Sequence, residues 1–234
     1  MKTIAIILAG GRGTRFGGDT PKQFLKVGDK RIIEYTIDAF ECHPLIDEIA
    51  IVCHPDHLAE MENIMASNQY SKVKKVLPGG KERYYSSLAA LAVYDNDEDC
   101  LLFHDAVRPF VSERIITDCV KALESFDAVT VAVPTTDTIY RVDDNQMIVN
   151  IPPRSHLRNA QTPQGFRAGT IRRAYDVALA DPAFVTTDDC GVVQRYLPEI
   201  PIYVVEGDSR NIKVTYPEDL NAIKEKVVDN HPLN

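Results

Sequence analysis

A glycine-rich loop that carries two arginines is the first candidate for chemistry in this sequence. Residues 9–18 read AGGRGTRFGG and follow a short apolar run at residues 4–8. Glycine lets the backbone approach a ligand and turn its N–H groups toward it, which makes a cradle for an anion. Arg12 and Arg15 add fixed positive charge and bidentate donors. The loop therefore predicts a phosphate or nucleotide site.

Two common nucleotide-binding patterns do not fit this loop. The P-loop pattern needs Lys followed by Ser or Thr after the glycines, and neither pair follows here. The dinucleotide pattern needs glycine where Phe16 stands and an acidic residue at the end of the second strand, which ends at Cys53. Lys22, in the segment PKQF, could fold back over bound phosphates. We therefore expect the loop and Lys22 to bind phosphates through a motif that differs from both of these patterns.

Two further segments could add to such a site. GGKER at residues 79–83 could approach a ligand closely through its glycines, or could simply form a turn before a helix. HDAVRPF at residues 104–110 ends another apolar run, and Asp105 could bind Mg²⁺ or a hydroxyl group there. Arg108 could contact a phosphate or form an internal ion pair with Asp105. We expect His104 to pack or cap.

Apolar runs that alternate with helical patterns must position these residues. Five runs have no polar alternation, which is typical of strands covered on both faces. They are residues 4–8, 49–53, 100–103, 128–133 and 202–205. Helical spacing lies between them, for example at residues 115–123. This order predicts an α/β fold with an open, doubly wound, mostly parallel sheet, whose ligands bind beyond the carboxyl ends of the strands.

One region interrupts this alternation. Residues 135–166 show no helical pattern, and Asp144 and Asn145 suggest a turn between two short strands. We interpret the region as a β-arm that projects from the sheet. Spacing leaves open whether the arm is a dimerisation element or a hairpin that lies on its own domain.

Composition limits the classes of function. The 234 residues contain no linker or low-complexity segment, which favours a single domain over residues 1–234. A net charge of -8 argues against a nucleic-acid partner. Five cysteines without a C-x-x-C pair, and a first apolar run too short for a signal peptide or a membrane span, favour the cytoplasm and no membrane partner.

In order and spacing, these segments resemble the CTP-dependent cytidylyltransferases that act on 2-C-methyl-D-erythritol 4-phosphate and on D-ribitol 5-phosphate. The resemblance covers residues 6–220. Its motifs are LAGGRGTR at 8–15, PKQF at 21–24, GGKER at 79–83, HDAVRPF at 104–110, DTI at 137–139, QTPQ at 161–164, TDD at 187–189 and NIKVT at 211–215. It implies a Rossmann-like nucleotidyltransferase fold and a reaction in which a substrate phosphate attacks the α-phosphorus of CTP and pyrophosphate leaves.

The resemblance also implies roles for the matching residues. Arg15 and Lys22 would be catalytic, stabilising the transition state. The nucleotide-binding residues would be Leu8, Ala9, Gly10, Gly11, Arg12, Gly13, Thr14, Arg15, Lys22, Gly79, Gly80, Arg83 and Ser86. The substrate-binding residues would be Asp105, Arg108, Thr138, Arg154, Thr162, Thr187 and Lys213. Asp105 would also bind Mg²⁺. In a homodimer, Thr138 and Arg154 on the arm would reach the substrate of the partner subunit.

Some details of the motifs resemble the enzymes that act on one substrate, and others resemble the enzymes that act on the other. AGG at residues 9–11, DAVRP at 105–109 and IPPR at 151–154 resemble the ribitol-phosphate enzymes, whereas RS at 154–155 and TDD at 187–189 resemble the erythritol-phosphate enzymes. We expect D-ribitol 5-phosphate as substrate and CDP-ribitol as product, for a cell-wall or capsule polysaccharide. The alternatives are 2-C-methyl-D-erythritol 4-phosphate in isoprenoid precursor synthesis, a sugar-1-phosphate nucleotidyltransferase, and an inactive nucleotide-binding homologue.

Overall fold

A computed structural model describes residues 1–11, 20–221 and 223–224. The strands are β1 Thr3–Ala9, β2 Lys26–Val27, β3 Lys30–Arg31, β4 Glu48–Cys53, β5 Val73–Pro78, β6 Cys100–Asp105, β7 Ala128–Pro134, β8 Arg141–Val142, β9 Ile148–Asn150, β10 Arg158–Arg167 and β11 Ile202–Glu206. The helices are α1 Ile32–Glu41, α2 Leu58–Asn68, α3 Arg83–Leu91, α4 Glu113–Ala122, α5 Ala168–Leu179 and α6 Asp189–Tyr196. Within the described ranges, every helix is too short or too polar to cross a membrane.

The centre of the molecule is a seven-stranded sheet in the order β11-β7-β10-β6-β1-β4-β5. Strand β1 runs parallel to β4 and β6, β4 runs parallel to β5, and β7 runs parallel to β11. Strand β10 is antiparallel to both of its neighbours, β6 and β7. The predicted doubly wound, mostly parallel sheet is confirmed.

Helices cover both faces of this sheet, which explains the uninterrupted apolar runs. Ala5 and Ile7 of β1 face a core that also contains side chains of α1, α2 and α4. Ile4 and Ile6 of the same strand face a second core with side chains of α3, α5 and α6. Successive side chains of a strand point to opposite faces, so a strand covered on both sides favours apolar residues along its whole length.

The predicted arm is shorter than the sequence pattern suggested. Residues 158–166 belong to β10, which lies inside the sheet between β6 and β7. The pattern missed this strand because its buried side chains include Gln161, Thr162 and Gln164, which are satisfied by hydrogen bonds rather than by apolar packing. The arm outside the central sheet therefore comprises residues 135–157, is exposed over most of its length and carries the β8–β9 hairpin.

Candidate active site

A cavity of about 300 Å³ lies at the carboxyl ends of β1 and β6. The parallel register of these strands places Leu8 beside Asp105, so residues 10–11 after β1 and residues 106–107 after β6 form adjacent walls. Other walls come from the short 3-10 turn Lys22–Phe24, the start of α3 and the segment after β11. The lining residues are 8–11, 22–23, 80–83, 86, 105–107 and 213. This is the position at which parallel α/β sheets bind ligands.

The cavity carries an excess of positive charge although the whole chain is acidic. Among the described residues, its lining contains four cationic side chains against two carboxylates. The cationic residues are Lys22, Lys81, Arg83 and Lys213, and the acidic residues are Glu82 and Asp105. Glycine backbone from residues 10, 11 and 80 completes the wall. The combination suits an anionic ligand with several phosphate groups.

Through its side chain, Gln23 joins the first glycine segment, described at residues 9–11, to the turn that carries Lys22. Its side chain is 2% exposed, and Nε2 donates hydrogen bonds to the carbonyl oxygens of Ala9 at 2.9 Å and Gly11 at 3.2 Å. Lys22 is thereby held at the cavity. The role of Gln23 was not predicted, although a Gln beside a candidate lysine was the available signal.

The two glycine segments close around Ser86 in the first turn of α3. A Cβ atom on Gly79 would lie 2.7 Å from Ser86 Oγ, and one on Gly10 would lie 3.1 Å from it. The Gly79 N–H also donates to the Cys53 carbonyl oxygen at 2.7 Å, which joins the segment to β4. Gly79 therefore permits a close approach within the protein, while Gly80 lines the cavity.

Asp105 is the centre of the charge arrangement. Its Oδ2 lies 2.9 Å from Lys213 Nζ and 3.5 Å from Arg108 Nε. Burial alone would raise the pKa of Asp105, but Lys213, Arg83 and Arg108 outweigh it, so the pKa lies well below the usual range. Arg108 is 8% exposed and donates to the Asn211 carbonyl oxygen at 2.7 Å. It forms the internal ion pair with Asp105 that the sequence left open.

A buried hydrogen-bond chain fixes the backbone of Asp105. Thr162 Oγ1 accepts from the Asp105 N–H at 3.2 Å and lies 3.0 Å from His104 Nδ1. His104 Nε2 lies 3.1 Å from the Arg108 carbonyl oxygen, an acceptor, so Nε2 must carry the proton and Nδ1 must accept from Thr162. Burial lowers the pKa of His104 to about 4, which keeps the ring neutral. His104 packs and bonds internally, as expected.

Arg83 reaches the cavity from α3 and is held from behind by Asp189. The two side chains form an ion pair, and Asp189 is fully buried. Burial would lower the pKa of Arg83, but the charges of Asp189 and Asp105 raise it instead. The sequence placed Asp189 in the TDD motif at residues 187–189 without giving it a role, so its contact with Arg83 was missed.

Several predicted site residues are not part of the described cavity lining. Thr138 and Arg154 lie on the exposed arm, where Arg154 Nη1 donates to the Thr136 carbonyl oxygen at 3.0 Å. Thr187 is exposed just before α6, and Thr162 lies behind Asp105 rather than in the cavity wall. Four predicted nucleotide-binding residues lie outside the described residues. These are Arg12, Gly13, Thr14 and the predicted catalytic Arg15.

Comparison with known proteins gives a consistent result. The family model described as 2-C-methyl-D-erythritol 4-phosphate cytidylyltransferase matches residues 3–229. An enzyme of that name from Thermobifida fusca is 49% identical over 225 residues, which cover 94% of this chain and 90% of that protein. The crystal structure of 4-diphosphocytidyl-2C-methyl-D-erythritol synthase from Anaerococcus prevotii aligns with a TM-score of 0.85 and 29% identity, covering 97% of this chain and 96% of the other.

A relative with the other substrate is less similar. The bifunctional ribulose 5-phosphate reductase/CDP-ribitol pyrophosphorylase Bcs1 of Haemophilus influenzae is 43% identical over 94% of this chain and 47% of its own length. The expectation of D-ribitol 5-phosphate as substrate is therefore wrong, because the family model and the relative of 49% identity carry the erythritol-phosphate name. The expected cytidylyltransferase chemistry is confirmed.

Proposed function

Because the chain belongs to the 2-C-methyl-D-erythritol 4-phosphate cytidylyltransferase family, and is therefore a CTP-dependent nucleotidyltransferase, we propose that it transfers CMP from CTP to 2-C-methyl-D-erythritol 4-phosphate. The products would be pyrophosphate and 4-diphosphocytidyl-2-C-methyl-D-erythritol, an isoprenoid precursor. The observation that carries this proposal is the cavity at the ends of β1 and β6, where glycine backbone and four cationic side chains face one space.

The proposed reaction is an in-line displacement at phosphorus. A phosphate oxygen of the erythritol phosphate attacks the α-phosphorus of CTP, a new P–O bond forms, and the bond to the β-phosphate bridging oxygen breaks. The electron pair of that bond leaves with pyrophosphate. The protein needs no covalent intermediate, so positioning and charge stabilisation supply the rate enhancement.

Lys22 is suited to stabilising the charge that develops on the transferred phosphoryl group. It lines the cavity on a turn that is joined to Ala9 and Gly11 by the hydrogen bonds of Gln23. We assign Lys22 and Arg15 as catalytic residues, with Arg15 placed by its motif position alone. The glycine segments, Arg83 and Ser86 would bind CTP.

Asp105 and Lys213 are suited to the acceptor side of the cavity. A carboxylate can accept hydrogen bonds from hydroxyl groups of the polyol, and an ammonium group beside it can bind the acceptor phosphate. Their separation of 2.9 Å places both functions within reach of one small ligand. We propose that Arg108 and Thr162 support Asp105. Thr187, which does not line the cavity, is assigned to the acceptor by its motif position alone.

Mg²⁺ is the proposed cofactor, and the cavity fits it. Mg²⁺ in nucleotide sites is usually held by one or two carboxylates together with substrate phosphates. Asp105 lines the cavity, and its lowered pKa keeps it ionised. When bound, the ion would neutralise phosphate charge and orient the phosphate chain.

We further propose a homodimer formed through the arm of residues 135–157. Several apolar side chains of this segment are at least 43% exposed in the single chain. They are Ile139, Tyr140, Val142, Met147, Ile148, Val149 and Ile151. In the dimer, Thr138 and Arg154 would reach the acceptor bound to the partner subunit.

Pyrophosphate release tests the proposed function. The purified protein is incubated with Mg²⁺ and CTP, and with either 2-C-methyl-D-erythritol 4-phosphate or D-ribitol 5-phosphate at equal concentrations. We expect release with the erythritol phosphate and a lower kcat/KM with the ribitol phosphate. UTP replaces CTP in a control that should be much less active. A higher kcat/KM with ribitol phosphate, or no release with the erythritol phosphate, would contradict the proposal.

A further inference from the structure

We propose that Asp189 is a positioning residue for nucleotide binding, because it holds the Arg83 guanidinium at the cavity in a fixed orientation. The proposal rests on the proposed function, since it takes the cavity as the CTP site. Asp189 does not line the cavity and acts through Arg83 alone.

Both carboxylate oxygens of Asp189 are committed within the protein. Oδ2 forms the ion pair with Arg83 Nη1, and Oδ1 accepts a hydrogen bond from the Tyr175 hydroxyl at 2.6 Å. Asp189 is 0% exposed, so water does not share these bonds. A carboxylate fully removed from water keeps its charge only where partners of this kind compensate for lost hydration.

Gln164 of β10 completes the arrangement from the other side. Its Oε1 accepts from the Asp189 N–H at 3.2 Å and lies 3.5 Å from Arg83 Nη2. Its Nε2 donates to Asp188 Oδ2 at 2.7 Å, while Asp188 Oδ1 caps α6 by accepting from the Gly191 N–H at 2.8 Å. The start of α6 is therefore fixed to the same group that fixes Arg83.

Three secondary-structure elements thus contribute side chains to a group that fixes an arginine from a fourth. Arg83 comes from α3, Gln164 from β10, Tyr175 from α5 and Asp189 from α6. An arginine side chain has many rotamers, and immobilising it on ligand binding costs entropy. When the protein fixes the guanidinium beforehand, phosphate oxygens meet donors that are already oriented. Arg83 keeps 24% of its side chain exposed and lines the cavity, so the fixed group is accessible to the nucleotide.

Stability alone does not require this pair. Apolar side chains of similar volume usually replace a buried ion pair without loss of stability. If Asp189 orients the Arg83 guanidinium toward the nucleotide, removing Asp189 must weaken nucleotide affinity, and that change can be measured directly.

The first variant is Asp189→Asn, which keeps the shape of the side chain and removes its charge. Calorimetric titration with CTP and Mg²⁺, without acceptor, should show affinity weakened about tenfold, the effect of losing one charge-assisted contact. In turnover assays the KM for CTP should rise about tenfold while kcat changes less than about threefold, since ground-state binding is what is lost. Asp97→Asn is the matched control: Asp97 pairs with Arg172 at 3.2 Å in the loop before β6, away from the cavity.

A double-mutant cycle separates positioning from a structural role. In the Arg83→Met background, Asp189→Asn should weaken CTP binding no further, because the group it positions is gone. An equal further loss in that background would overturn the proposal, as would unchanged CTP affinity in a folded Asp189→Asn protein. If Asp189→Asn does not fold, Tyr175→Phe carries the test. It removes only the hydroxyl that fixes Oδ1, and unchanged CTP affinity in that variant would also overturn the proposal.

The CTP titration also distinguishes a failure of the proposed function from a failure of the proposed role of Asp189. If wild-type protein binds CTP but releases no pyrophosphate with the erythritol phosphate, the assignment of the acceptor fails and the role of Asp189 can still be measured. If wild-type protein binds no CTP at all, both fail together.

Discussion

Lys213 Nζ lies 2.9 Å from Asp105 Oδ2, although Asp105 ends β6 and Lys213 follows the last strand of the sheet. The carboxylate is nearly buried, whereas the lysine side chain is 41% exposed. A half-exposed lysine can turn toward an arriving phosphate without a large desolvation cost, because it is already partly hydrated. The pair therefore keeps the Lys213 ammonium group at the cavity, where it is available to a phosphate.

Lys213→Met should lower kcat/KM for the acceptor by about a hundredfold, the usual cost of removing one charge that stabilises a phosphoryl transition state. CTP affinity should change much less, since Arg83 and the glycine segments remain. Steady-state kinetics with each substrate varied in turn gives this comparison. Lys121→Met, at the exposed end of α4, is the control. A Lys213→Met enzyme whose acceptor kinetics match wild type would remove Lys213 from the site.

Lys22→Ala should reduce kcat by about a hundredfold or more and leave a folded protein, because Lys22 faces the cavity and contributes charge there. Circular dichroism and thermal unfolding would establish that the protein folds, and pyrophosphate release would give kcat. Lys26→Ala removes an exposed lysine from β2 in the same stretch of chain and should behave as wild type. If turnover were equal in the Lys22 and Lys26 variants, the catalytic assignment of Lys22 would not stand.

The parallel sheet and the cavity could be predicted because both follow from local patterns. Strands buried on two faces are usually apolar along their length, and ligand-binding loops follow the carboxyl ends of parallel strands. Asp105 and the loop after β1 were identified in this way, and the structure places Asp105 beside Leu8 and in one cavity with Gly10 and Gly11.

Features that depend on burial of polar groups could not be predicted from such patterns. Strand β10 was assigned to the arm because Gln161, Thr162 and Gln164 look like a surface sequence, yet all three are buried. Their hydrogen bonds go to residues distant in sequence, such as Asn211 and Asp188. The link from Asp189 to Arg83 is of the same kind, since only the fold brings α6 to α3. The substrate preference also failed, because a few loop residues do not outweigh the similarity of the whole chain.

Gly79→Ala should destabilise the protein by about 1–3 kcal/mol, the usual cost of overpacking. The new Cβ would lie 2.7 Å from Ser86 Oγ and 3.3 Å from the Cys53 carbonyl oxygen, so the Ser86 side chain must move and the packing against β4 must loosen slightly. Thermal unfolding should show a lower Tm, and adding Ser86→Ala should recover part of the loss. Gly11→Ala is the control, since no described heavy atom lies within 4 Å of a Cβ there. Equal Tm values for the two single variants would contradict this packing account.

His104 should make the protein less stable as the pH falls from 6.5 toward 4. Its folded-state pKa is about 4, below the ordinary value, so the unfolded chain binds more protons in this window. The free energy of unfolding should therefore decrease by about 1.4 kcal/mol per pH unit for this one group. Burial also lowers the pKa of His43, which adds a loss of the same sign.

Urea unfolding between pH 7.5 and 5.5 would measure this dependence, because most carboxylates remain ionised there. His104→Asn should make the pH dependence shallower by about one proton at the lower end of that range. His57→Asn, at a partly exposed position before α2, is the control for removing a histidine from outside the buried chain. An unchanged slope in the His104 variant would show that the buried ring does not govern acid sensitivity.

Ile148→Asp in β9 should convert the proposed homodimer into a monomer. Ile148 and Val149 are 54% and 50% exposed in the single chain, and Met147 is 65% exposed. Successive strand residues point to opposite faces, so both faces of the β8–β9 hairpin present apolar side chains to water unless a second subunit covers them. A charge placed there without a partner opposes association. Analytical ultracentrifugation would report the mass of each species.

Loss of the dimer should also lower activity if the arm completes the partner's site. Thr138 and Arg154 would then no longer reach the acceptor, so the KM for the erythritol phosphate should rise while CTP affinity in calorimetry stays close to wild type. Val177→Asp introduces the same charge at a 46% exposed position on α5 and should remain dimeric and active. If a monomeric Ile148→Asp enzyme kept wild-type acceptor kinetics, each active site would be formed by one chain only. If the wild-type protein were itself a monomer, the arm would have no role in association.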